Sequence, residues 1–147
     1  MILLFTAILA LAQSVTAPEV GRDVRAEADG EWARVKPQLD ARRPVLEAYV
    51  QVAAGWRANA NCGFRKNADG TALTASVEQN TLRLGAVLDG IFGGKYPAQS
   101  LLQSLQGQGV AFADGPLRSC GDDAREAVIR AVERSNWINS QLPANLR

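Results

Sequence analysis

Residues 44–62 read P-V-L-E-A-Y-V-Q-V-A-A-G-W-R-A-N-A-N-C, an apolar stripe that runs into a cysteine. Val45, Tyr49, Val52, Ala53 and Trp56 recur at three- and four-residue steps, the spacing of one face of an amphipathic helix. Pro44 suits the first turn, because its φ is already helical and its missing N–H would have had no partner there. The spacing predicts a helix that starts at Pro44 and fades near Asn61.

Working outward, the same period recurs on both sides. Upstream, Val20, Val24, Ala28, Trp32 and Val35 share one helical face, interrupted by Gly30, and Pro37 is expected to end the helix. Downstream, a third helix is predicted from about Thr74 on the stripe Leu73, Val77, Leu84, Val87, Leu88 and Ile91, with Gly93-Gly94 as its stop. The segment from Phe64 to Leu73, turning at Asp69-Gly70, offers a small hairpin. A short fourth helix is expected from Pro97 through Leu101, Leu102 and Leu105; Gly107 and Gly109 then break the pattern, so 107–116 reads as loop. The last helix carries Ala124, Ala127, Val128, Ala131, Val132 and Ile138 before Pro143, with Asp122, Asp123 and Glu126 at its start, where capping and the helix dipole favour carboxylates. No alternating strand pattern or internal repeat competes. The expected fold is an all-α, single-domain bundle of four to five helices.

The chain opens M-I-L-L-F-T-A-I-L-A-L-A-Q-S-V-T-A, an apolar run followed by Val15-x-Ala17, the layout of a secretory signal peptide over residues 1–17, although no Lys or Arg lies near Met1. Ala10-Leu11-Ala12 offers an earlier cut. Pro18 and Glu19 end the uncharged run short of the roughly 20 residues that span a bilayer. Residues 18–147 then form the mature helical domain, periplasmic or secreted and not inserted in a membrane. The formal charge of +1 and the mixing of Lys and Arg with Asp and Glu leave no basic stripe for nucleic acid.

In an oxidising compartment two cysteines favour a pair, so Cys62 and Cys120 are expected to form a structural disulfide. Such a staple makes the second and fifth helices antiparallel neighbours, with Cα atoms about 5.5 Å apart at the bridge. A catalytic thiol would need a base. The chain contains no histidine, and the two cysteines are far from a C-x-x-C spacing.

Other chemistry is sparse. In L-D-G-I-F-G-G-K-Y, residues 88–96, Asp89 and Tyr96 stand where a phosphate-binding loop needs Gly and Ser or Thr. Residues 67–78 carry oxygen side chains at calcium-loop spacing, but Ala72 stands where that loop needs Gly. Trp32, Trp56 and Trp137 are expected in the core. No cofactor or metal is implied. The function expected is therefore contact with another envelope protein, by a small binding or inhibitory module without catalytic residues. Its site would lie in the turn-rich segment 63–72, with Phe64 as apolar anchor beside Arg65 and Lys66. The alternatives are a hydrolase or lyase using Asp69, Glu78 or Asp89 in a shared pocket, and a structural envelope protein.

Overall fold

Five helices account for nearly all of the backbone in the computed structural model, which describes residues 20–142 and the side-chain surroundings from Glu27 onward: α1 Val20–Ala41, α2 Arg43–Cys62, α3 Asn67–Phe92, α4 Lys95–Asp114 and α5 Asp122–Gln141. No strand occurs among them. The expected signal peptide and cleavage sites, and Pro143, lie outside the described residues. The chain divides into two compact units, residues 1–41 and 42–147.

In the first unit, α1 does not end at Pro37 but continues to Ala41. Proline withdraws the N–H that Ala33 would accept, yet Ala33 is exposed, so water can take its carbonyl. Beyond the proline, Leu39 extends the stripe and is fully buried, which favours continuing the helix. Ala28 and Trp32 are half-buried and Val35 is buried, as the spacing requires. The outer face carries the Arg34–Glu31 pair at 2.8 Å and the Lys36–Asp40 pair at 2.7 Å.

In the second unit, α2 is the central element. It packs most extensively on α5, then on α4, and least on α3. Its buried set is wider than one stripe, including Leu46, Ala48, Ala54, Gly55 and Ala58 as well as Val45, Tyr49, Val52 and Ala53. Small residues set the approach. A Cβ on Gly55 would stand 2.3 Å from Ala131 Cβ and 2.4 Å from the Ala127 carbonyl oxygen, so α2 and α5 meet backbone to backbone.

The Cys62–Cys120 disulfide is present, with the Cα atoms 5.5 Å apart. Gly55 precedes Cys62 by as many residues as Ala127 follows Cys120, so the two helices run antiparallel from the staple. Asp122 and Asp123 lie in the first turn of α5, but the cap position is Gly121 and no side chain caps it. The carboxylates therefore act there through the helix dipole alone.

Two expected breaks are not breaks. α4 passes through Gly107 and Gly109 to Asp114 because Gly109 is where α4 crosses α2: a Cβ there would lie 2.6 Å from the Val50 carbonyl oxygen and 2.7 Å from both Ala53 Cβ and the Ala54 nitrogen. Burial of this crossing outweighs the intrinsic helix cost of glycine, about 1 kcal/mol. Likewise α3 begins at Asn67, seven residues before Thr74, so the hairpin is absent; Asp69 and Gly70 form part of the first helical turns. The same helix spreads the oxygens of residues 67–78 along its axis, which rules out a calcium loop wrapped round one point.

Between α3 and α5 the seam is polar. Asn80, fully buried, donates from Nδ2 to the Ser135 carbonyl at 3.1 Å and to Asn139 Oδ1 at 2.8 Å; Ser76 and Ser135 share a hydroxyl hydrogen bond, and Arg83 donates to the Asn139 carbonyl at 2.9 Å. Sliding α3 by one residue would strip the Asn80 amide of these acceptors. The seam therefore sets the register of α3 on α5.

Candidate functional site

The α2–α3 link, residues 63–66, leaves the staple through Gly63, whose φ of 68° lets its N–H return to the Asn59 carbonyl at 2.7 Å. The Asn59 side chain then grips the link. Its Oδ1 accepts the Arg65 backbone N–H at 2.7 Å while its Nδ2 donates to the Arg65 carbonyl at 3.1 Å.

This arrangement places the three expected contact residues unequally. The Phe64 ring is half-buried and covered by the Arg125 guanidinium, 4.6 Å from the ring centroid. Arg65 is half-buried and Lys66 exposed, and neither side chain has an acidic partner among the described residues. Arg65 opens onto a shallow polar shelf formed with Asn59, Asn67, Thr71, Thr74 and Glu78.

Thr74 and Glu78 are shared with a second feature, an apolar groove of about 520 Å³ where α3 stands away from α2. Its walls are Ala53 and Trp56 from α2, Val77 and Leu82 from α3, and Val110 from α4. Leu82 is 74% exposed at the lip. Trp56, half-buried rather than in the core, turns its indole N–H toward Thr74 Oγ1 at 3.4 Å. Trp32 and Trp137 are also half-buried.

The groove ends on a hydrogen-bond chain whose direction is fixed. Thr81 donates its hydroxyl proton to the Val77 carbonyl at 2.9 Å, so its oxygen must accept from Tyr49 at 2.8 Å; the Tyr49 oxygen in turn accepts from Gln106 Nε2 at 2.7 Å. Burial pushes the Tyr49 phenol up, opposed by these two side-chain hydrogen bonds. The Gln106 amide orientation follows. Its Oε1 is left without a partner among the described residues.

At the C-terminal ends of α2 and α4, Arg57 grips Asp114 with two hydrogen bonds, at 2.9 and 3.2 Å, and Asn61 adds a third at 2.7 Å. These bonds hold the Asp114 carboxyl below the usual aspartate range, those from Arg57 contributing most. A depressed folded value means that the coupling is present above the unfolded pKa and is lost as pH falls through the folded one. We expect an NMR titration to place the Asp114 midpoint below that of a free aspartate, about 3.9, and Arg57→Gln to move it back up. An unshifted midpoint in the parent protein would show that the three bonds do not persist in solution.

The three carboxylates considered for catalysis all stand on α3, with Glu78 about 13 Å along the axis from Asp69 and about 16 Å from Asp89 at 1.5 Å per residue. Asp69 lines a different depression, beside Val132 and Asn136. Glu78 alone reaches the groove. Among the described residues no three His, Cys, Asp or Glu side chains are arranged to hold a metal ion, and no described helix is long and apolar enough to cross a membrane.

Sequence reading missed Asn80, Gln106 and Asn59. Asn80 was open to discovery: it occupies the vacant step of the α3 stripe between Val77 and Leu84. The other two matter only through partners distant in sequence. Compared with family models, with curated proteins and with solved structures, the chain matches none.

Proposed function

We propose that this chain is an exported helical binding module of the cell envelope or periplasm that acts by protein–protein contact, with Arg65 and Lys66 in its contact surface. The supporting observation is the clamp from Asn59 on both backbone groups of Arg65, one turn from the disulfide. It holds two cations on a backbone already in place, so binding need not order a loop. Phe64 serves as the support beneath this surface, its face occupied by Arg125. The contact partner is an envelope protein presenting carboxylates to the shelf, and export rests on the N-terminal apolar run and its small-residue cleavage site.

The test uses the oxidised protein to capture a partner, whose affinity is then compared for the parent and for Arg65→Ala/Lys66→Ala. The double variant is expected to bind several-fold more weakly at low salt, with an unchanged Tm, because each rim cation contributes up to about 1 kcal/mol. Equal affinities would remove the shelf from the site. A turnover abolished by Glu78→Gln would replace this reading with the carboxylate enzyme.

A further inference from the structure

We propose that the groove between α2, α3 and α4 is a separate binding site for a small apolar organic cation, an alkyl- or arylammonium. Its volume of about 520 Å³ falls within the usual range of small-ligand sites, about 300–1,000 Å³. Along α3 it extends from Thr74 to Leu82, roughly 12 Å at 1.5 Å per residue. That is the length of a medium alkyl chain, and much less than the surface a stable protein interface requires.

The charge and polarity of the lining select the head group. Glu78 is the one charged residue in the wall and has no ion-pair or hydrogen-bond partner among the described residues. No Lys or Arg lines the groove. At the inner end the Tyr49 and Thr81 hydroxyl protons are already committed, which leaves the solvent-accessible Gln106 Oε1 as the acceptor open to a ligand donor there. Trp56 adds an indole to the wall; the face of such a ring attracts cations. An N–H-bearing cation would offer charge to the exposed Glu78 carboxylate and a donor to the acceptors of the lining, while its apolar body lies along the groove. A carboxylate ligand would meet Glu78 and no compensating cation.

The probes are n-octylammonium, n-octanol and n-octanoate, titrated calorimetrically into the oxidised protein and followed by the indole N–H resonances. n-Octylammonium is expected to bind saturably, to shift the Trp56 resonance more than those of Trp32 and Trp137, and to bind about tenfold more tightly than n-octanoate. Glu78→Gln should weaken the ammonium by about fivefold while leaving n-octanol unchanged. Val110→Trp should abolish binding of both by filling the groove, with a retained melting transition as its control. Arg65→Ala/Lys66→Ala should bind the ammonium as the parent does, so failure here is distinct from failure of the protein-contact reading. Equal affinity for ammonium and carboxylate, indifference to Glu78→Gln, or an unmoved Trp56 resonance would overturn the assignment.

Discussion

Replacing Cys62 and Cys120 together by alanine is expected to lower the unfolding free energy by about 4 kcal/mol, the largest effect of any change considered. The bridge joins residues separated by 58 positions, and the chain-entropy relation gives that value for a loop of this length. Typical domain stabilities are about 5–15 kcal/mol, so a large share of the total is at stake. The native contacts between α2 and α5 do not depend on the bond itself, since Gly55, Ala127 and Ala131 hold the two helices together farther along the pair. Far-UV circular dichroism of the folded variant should therefore match the parent while the urea midpoint falls. A loss below about 1 kcal/mol would mean that the unfolded chain already keeps these ends together.

Two glycines on α4, two residues apart, should respond to alanine with opposite signs. Gly109→Ala is expected to cost about 3 kcal/mol, at the upper end for an overpacked core, because the atoms that the new methyl meets include the α2 backbone at Val50 and Ala54, which cannot rotate away. Gly107→Ala meets nothing within 4 Å and should stabilise by about 0.5–1 kcal/mol through helix propensity and a less flexible unfolded chain. Gly55→Ala should resemble Gly109→Ala, its methyl falling on Ala131 and the Ala127 carbonyl. Urea titrations of the three variants give the signs directly. A stabilised Gly109→Ala would mean that α4 does not cross α2 at that point.

The amino-acid sequence by itself determined the helical class, a count of four to five helices and the pairing of the cysteines. Those features rest on local or one-dimensional facts: a three-to-four-residue period, a proline at a first turn, an even cysteine count. It placed the ends of α1, α3 and α4 wrongly for one shared reason. Pro37, Asp69-Gly70, Gly107 and Gly109 are helix breakers in isolation, and their tolerance depends on what the neighbouring turns bury. Gly109 is the sharpest case, since the property that lowers its helix propensity, the missing side chain, is what admits α2.

The candidate sites divide in the same way. Arg65 and Lys66 stood out as cations in a turn-rich segment, but their fixed posture comes from Asn59, and the half-buried state of Phe64 comes with Arg125 from another helix. The groove had no signature in the sequence at all. Trp56, Glu78, Gln106 and Val110 belong to three helices, and nothing in their spacing says that α3 stands away from α2 between them. Only the tertiary structure decided that, because close approach at Gly55 and Gly109 gathers α4 and α5 around α2, while α3 packs on α4 and, through the polar seam at Asn80, on α5, and least on α2.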